Sequence, residues 1–512
     1  MASKSRRPSA SPGADVDAGP PPADLTAVVA SGVRWKAMTR AVSIVTRGLV
    51  IVLLARLLTP ADYGVAGMAL VVTSFVMILT DPALGAALIQ RPTIDERDRS
   101  TVFWIAAGIG AMLTILGVGA SGLVADFFGE DQVQNLFTAT SLCFFPISLS
   151  VVHRALLARK LAYRSLEIRD MIAIVTGGAI AVVVALAGFG PWAVVANFIA
   201  YSLTSTVLVW LLMDWRPRAV FSTDRAHRLS GFSMRIFAAT ILSWGTQNLD
   251  KVLVGRFLGA PALGAYSLAY SAMFLPMTLL GQPFHQVVGP AFSRIQGDTA
   301  RLERAWLRSK RLSVAIVAPG MLALVVVAPD FVPVVFGEKW DDAVAPLQVL
   351  CLGGLASSLT NLHWSVLQAR GEAAAVLRLT IVSLVLTLSA FVAGLHWGIV
   401  GVAAFYAAAR WVYVVPSTLI TTRAVSFDFW RTLRAGAGML PAAIGAAAVA
   451  AAERQLLLLE TALPQQARLA LVSVGMVLVY GAIVLLFAPA VARDIKQVIH
   501  RRAGGSSLRQ PT

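Results

Sequence analysis

Apolar runs of about twenty residues recur from end to end of this 512-residue chain, and nothing else in it restricts the fold so strongly. A run of that length matches the hydrocarbon thickness of a bilayer. With 57% of residues apolar, 14% charged and a mean hydropathy of +0.73, a soluble fold could not hide the apolar surface. The expectation is an all-α polytopic membrane protein.

Fourteen candidate spans are read near 33–58, 64–88, 101–125, 133–157, 168–188, 191–213, 229–256, 262–286, 311–335, 343–369, 376–396, 398–421, 434–453 and 467–489. Turn signals such as Thr59-Pro60-Ala61-Asp62 and Gly188-Phe189-Gly190-Pro191 separate neighbours so closely that they form antiparallel hairpins. Charge tests the count. With the N-terminus inside, the loops assigned to the cytoplasm carry nineteen Lys and Arg residues, and those assigned outside only Lys339 and Arg454. That asymmetry is the positive-inside pattern, and it predicts a plasma (inner) membrane protein with both termini cytoplasmic.

The expected organisation is a disordered tail over 1–32, an N-lobe of six spans over 33–213, a cytoplasmic linker over 214–228 and a C-lobe of six spans over 229–421. Two extra spans over 434–489 and a basic tail over 490–512 follow. The two lobes are expected to be pseudo-symmetric, because residues 53–70 have an echo at 253–270. Each segment ends an apolar helix with an arginine (Arg56, Arg256), turns at a proline and restarts through a glycine (Gly64, Gly264). Repeated bundles in a membrane are the architecture of transporters that alternate access.

Several classes fall away. The net charge of +16 is spread over loops and tails, with no basic soluble domain, so nucleic acid is not an expected partner. Cys143 and Cys351 lie in apolar segments and read as packing residues, neither disulfide nor metal ligands. No phosphate-binding glycine loop, zinc spacing or serine elbow is present, so no cofactor is expected and the chain does not read as an enzyme. The basic segment 293–311 carries Leu302, Ala305 and Trp306, followed by Leu312, at helical spacing beside Arg301, Arg304, Arg308 and Arg311, which predicts an interfacial amphipathic helix. Trp192, Trp210, Trp340, Trp397 and Trp411 are expected in the interfacial belts.

Particular stretches carry a family resemblance. Ala55-Arg-Leu-Leu-Thr-Pro-Ala-Asp-Tyr-Gly-Val-Ala-Gly-Met-Ala resembles the first hairpin of bacterial polysaccharide exporters of the multidrug/oligosaccharidyl-lipid/polysaccharide superfamily. Asp81-Pro-Ala-Leu-Gly-Ala-Ala-Leu-Ile-Gln-Arg, Gly188-Phe-Gly-Pro-Trp-Ala-Val-Val and Asn248-Leu-Asp-Lys-Val-Leu-Val-Gly-Arg-Phe-Leu-Gly continue the likeness, which spans roughly residues 33 to 425. The branch it most resembles, the colanic-acid type, flips undecaprenyl-pyrophosphate-linked oligosaccharides. The resemblance implies that lipid-linked oligosaccharide as substrate, membrane lipids around it, and polysaccharide polymerase or export machinery as possible partners.

Charged groups inside spans cost roughly 2.5–3.5 kcal/mol each on insertion scales and therefore mark function or pairing. Lys36, Arg40 and Arg47 fall on one stripe of the first span; Arg40 and Arg47 are candidate pyrophosphate contacts, since guanidinium groups grip phosphate bidentately. In the seventh span Gln247, Asn248 and Lys251 are candidate substrate contacts, and Asp250 a coupling-ion site or a salt-bridge partner of Lys251. Asp81 is a second coupling-ion candidate. His285 with Gln282 and His363 with Asn361 are weaker, and Arg154, Arg169 and Asp170 read as headgroup contacts or pairs. Two other functions stay open at this point. One is a cation-coupled multidrug exporter of the same superfamily; the other is a membrane enzyme that polymerises or ligates polysaccharide, although the large external loop it would need is missing.

Overall fold

A computed structural model describes residues 25–80, 85, 88–89, 93–460 and 463–487, and no strand occurs among them. The two tails and Asp81 lie outside the described residues. Helices α1 (Leu25–Leu57), α2 (Pro60–Thr80), α3 (Glu96–Gly119), α4 (Ser121–Phe128), α5 (Gln132–Ser141), α6 (Phe144–Ser148), α7 (Val151–Arg159), α8 (Tyr163–Leu186) and α9 (Trp192–Leu212) come first. Then follow α10 (Thr223–Pro276), α11 (Gln282–Arg294), α12 (Thr299–Val335), α13 (Val344–Ser358), α14 (Asn361–Ala369), α15 (Ala373–Gly394), α16 (Gly398–Val425), α17 (Phe429–Ala437), α18 (Leu440–Glu460) and α19 (Gln465–Phe487).

The ends of these helices are written locally. Asp95 caps α3 in a reciprocal box with Asp98, and Asp298 and Asp428 cap α12 and α17 through the amides of Arg301 and Arg431. Such caps satisfy amides that have no partner within the helix.

Ten segments among the described residues are long and apolar enough to cross a membrane, eleven if α5–α7, bent by 45°, counts as one. The expected number was fourteen. The difference comes from continuity: Thr240–Leu279 and Ala373–Val425 each count once although they hold 40 and 53 residues, about 60 and 80 Å of helix at 1.5 Å per residue. Each is broken inside, the first at Gly259 with φ 84° and the second at the tight turn Leu395–Trp397 before Gly398 with φ 67°. Helix α1, with four arginines and a lysine, is not among the ten.

The chain divides into two compact units. The first takes residues up to Leu58 and Val65–Trp244; the second takes Thr59–Gly64 and everything from Gly245. In the first unit α8 packs along α1 and α9, and Val50 sits directly over Gly178, where no Cβ intervenes. Its core gathers Val102, Phe103, Val152 and Leu156, with His153 stacked on Trp210 at 4.3 Å. The segment after α9 is pinned to α3: Arg218 N–H donates to Ser100 Oγ at 3.2 Å and Trp104 donates to the Arg218 carbonyl at 2.8 Å.

In the second unit α13 packs between α12 and α16, α15 along α16, and α18 and α19 along α12. Its core holds Phe292, Leu302, Trp306, Leu362, Val366 and Phe427. The echo found in the sequence is a physical contact here. A Cβ on Gly64 would strike the Ala260 carbonyl, and one on Gly264 would strike the Pro60 carbonyl. The two turns therefore press backbone to backbone, and only glycine permits that.

A second repeat escaped the sequence reading. Helices α6 and α7 break just before His153, and α13 and α14 break just before His363. Both end in a left-handed residue, Leu161 (φ 55°) and Gly371 (φ 74°). The closing bonds match as well: Ala162 N–H to the Leu157 carbonyl at 3.0 Å, and Glu372 N–H to the Leu367 carbonyl at 2.9 Å.

Two expectations are corrected. Residues 299–311 are no separate interfacial helix but the first turns of α12, with Leu302 and Trp306 fully buried; no breaker stands between Arg311 and Leu312, so the helix runs on. Trp340 is not in an interfacial belt but buried edge-on against Tyr63, and Trp210 is committed to His153. Trp192, Trp397 and Trp411 are exposed, as a belt requires, and both cysteines are free and buried.

Candidate functional site

Charge is concentrated in separate networks within the two units. In the first unit Thr39 of α1 donates to Glu167 Oε2 of α8 at 2.9 Å. Two residues further on, Arg169 is buried and pairs with Asp170 at 2.6 Å. Its other terminal nitrogen is buried without a hydrogen-bond partner. Tyr201 of α9 sits in the combined field of Asp170, Arg169, Arg47 and Arg154. Arg47 itself is exposed on α1, ten residues from the helix end at Leu57, which is about 15 Å along the axis. Of the cationic stripe read in the sequence, the side chains of Lys36 and Arg40 lie outside the described residues, so Arg47 represents it.

The second unit treats its charges differently. Asp250 of α10 is 1% exposed; its carboxylate accepts from the Tyr266 hydroxyl at 2.9 Å and from the Lys251 backbone amide at 2.8 Å. The side chain of Lys251 does not close a salt bridge onto it. The ammonium turns to Asn248 Oδ1 at 3.5 Å and lies 5.3 Å above the Tyr270 ring. Gln247 is exposed and lines a pocket of ≈ 200 Å³ together with Tyr270, Phe274, Asn361, Tyr406 and Arg410. Of the residues singled out in the seventh span, only Gln247 therefore reaches this pocket directly, and Lys251 reaches its wall through Tyr270.

Arg410 was missed by sequence reasoning, although an arginine in the middle of the apolar helix α16 is itself a signal. Its Nε donates to Ser357 Oγ at 2.9 Å, its terminal nitrogens reach Thr360 and Ser383 at 3.4 and 3.5 Å, and its guanidinium lies 5.1 Å from the Tyr413 ring. None of these partners is a carboxylate. A guanidinium held by hydroxyls on the wall of a pocket keeps its charge for an anion.

Two further charged clusters surfaced only in three dimensions. Asp330 of α12 is 2% exposed at its side chain and accepts from Arg454 Nε of α18 at 2.6 Å and from Arg468 Nε of α19 at 2.9 Å. At the other end of α12, Lys310 is 1% exposed, 3.4 Å from His363 Nε2 and 5.5 Å from the Trp306 ring. Neither could be read from spacing, since the partners are 53 to 138 positions apart. No cluster among the described residues has the ligands to hold a metal ion.

Comparison with known proteins places this architecture. The lipopolysaccharide biosynthesis protein WzxC of Escherichia coli K12 is 30% identical over 67% of this chain and 70% of its own length. The succinoglycan biosynthesis transport protein ExoT of Rhizobium meliloti 1021 is 28% identical over 63% of this chain and 66% of its own length. In fold, the chain is similar to the lipid II flippase MurJ in its inward closed conformation, with TM-score 0.72 at 15% identity over 91% of this chain and 99% of that one. The model of the family described as "polysaccharide biosynthesis protein" matches residues 53–345, and the chain is a member of that family.

Proposed function

We propose that the chain carries undecaprenyl-pyrophosphate-linked oligosaccharide repeat units across the bacterial inner membrane, exposing them alternately to its two faces. Membership of the polysaccharide biosynthesis family carries this reading. It is a transporter and not an enzyme, in keeping with its transport-protein relative and the flippase whose fold it shares. Taking α1, the bent α5–α7 segment and both halves of each double-length segment as crossings gives fourteen, with both termini cytoplasmic and the lobes falling at spans 1–6 and 7–12.

Arg47 supplies the chemistry. About 15 Å from the end of α1, it stands near the middle of a hydrocarbon layer ~30 Å thick, too deep to reach either interface. An exposed guanidinium at that depth faces water or an anion. The pyrophosphate of the carrier lipid is such an anion, and Arg40 extends the same stripe towards the cytoplasm. Within the second unit Asn248 and Lys251 are assigned to the substrate on their own. Asp250 and Asp81 are the groups assigned to a coupling ion. The partners expected in the cell are membrane lipids and the polymerase or export machinery that takes the flipped repeat unit.

The test is export in a strain deleted for its own flippase. The chain should restore surface polysaccharide and relieve accumulation of the lipid-linked intermediate. Accumulation that continues although the protein is inserted and abundant would refute the reading.

A further inference from the structure

We infer that the pocket in the second unit is a subsite for a single sugar ring bearing a carboxylate, with Arg410 as the residue that selects it. The inference deepens the flippase reading and rests on it. Three observations converge. The pocket holds ≈ 200 Å³, below the ~300–1,000 Å³ of sites for drug-sized ligands, so it has room for one ring and not for a repeat unit. Its wall combines the aromatic faces of Tyr270, Phe274 and Tyr406 with the planar amides of Gln247 and Asn361. Apolar faces with a few directed polar groups fit a pyranose, whose two sides are C–H surfaces and whose rim is hydroxyl.

The third observation is the state of Arg410. Its partners are Ser357, Thr360, Ser383 and the Tyr413 ring. Hydroxyls orient the guanidinium without neutralising it. The positive charge at the pocket wall therefore has no carboxylate among the described residues bound to it, and a carboxylate on the sugar completes the bidentate pair that a guanidinium prefers. The carrier's pyrophosphate shares that anionic chemistry, but the aromatic lining has no use in holding it.

The test uses the full-length protein in lipid nanodiscs and measures binding of methyl β-D-glucuronide and methyl β-D-glucoside by saturation-transfer NMR. The wild type should bind the glucuronide about 10-fold more tightly, the gain of a charge-assisted contact over a neutral one. Equal binding of the two sugars overturns the proposal. Arg410→Gln should erase the preference, bringing the glucuronide down to the affinity of the glucoside measured on the same variant, and Arg410→Lys should keep part of it; a preference that survives Arg410→Gln overturns the role of this arginine. Should the Gln variant fail to fold, Asn361→Ala serves instead. It should weaken both sugars together, and unchanged binding there places the sugar elsewhere. Inorganic pyrophosphate that displaces the glucuronide at equal concentration reassigns the pocket to the carrier headgroup and sinks the proposal. Export by the wild type is measured in parallel. Export without a sugar preference defeats the subsite alone, whereas sugar preference without export defeats the flippase reading.

Discussion

The two units answer the same difficulty, a charge inside an apolar bundle, in opposite ways. The first buries Arg169 against Asp170 but keeps Arg47 open: this arginine is exposed, and the carboxylates of Glu167 and Asp170 sit on the neighbouring helix α8. The second encloses its charges. Asp250 is buried beneath Tyr266, and Asp330 is gripped by two arginines. An exposed cation contributes little to stability and is available to a ligand. An enclosed one orders the helices around it and is costly to strip of its partner. Replacing Arg47 should therefore reduce transport and spare the fold, and replacing the enclosed carboxylates of the second unit should act on the fold first.

The sharpest way to break that contrast is Asp330→Ala. It leaves Arg454 and Arg468 without their shared carboxylate, and removing one partner of a buried pair costs about 3–5 kcal/mol. The thermal midpoint of the purified protein should fall steeply, and a midpoint equal to the wild type would show that the second unit does not depend on its enclosed charges. Arg47→Ala is the converse. Loss of a charged contact worth about 1.5–3 kcal/mol should reduce export roughly 10- to 100-fold with the midpoint unchanged, and Arg47→Lys should fall between. A lowered midpoint in Arg47→Ala would make this arginine a structural partner and erase the distinction.

A smaller effect tests how far the repeat is shared. Gly371→Leu puts a side chain into the left-handed conformation that closes α14, at a cost of about 1–2 kcal/mol. Leu161→Gly relieves the same strain in the first unit, and its backbone freedom offsets part of the gain, leaving a stabilisation of about 0.5 kcal/mol or less. Opposite shifts of the two midpoints sharpen the correspondence between the turns; shifts of the same sign break it.

Much of the fold was legible because it follows from hydropathy and punctuation. The apolar runs located the helices, and the turn at Pro60 and its echo at Pro261 pointed to a repeat whose glycines now meet carbonyl oxygens. The number of crossings was harder to read, since Gly259 breaks a helix that otherwise continues. The candidate sites were legible only along one helix at a time. Gln247 and Asp250 stood out within their own span, but Arg410 gains meaning from Ser357, Thr360 and Ser383 on other helices. The histidine repeat was obscured because leucine at 161 and glycine at 371 perform one backbone task with different side chains. Lys310 looked like one more basic loop residue, and only the continuation of α12 turns it inward against His363.

The clamp on Asp330 also sets a schedule for synthesis. Its carboxylate leaves the ribosome more than a hundred residues before either arginine exists, since Arg454 and Arg468 follow 124 and 138 positions later. Throughout that interval the nascent helix carries an acid with no counter-charge. A chain that stops short of α18 never acquires one, and what it presents to membrane quality control is a bundle with a naked carboxylate rather than a bundle short of two helices. The arrival of α18 and α19 is thus the moment at which Asp330 gains its counter-charges.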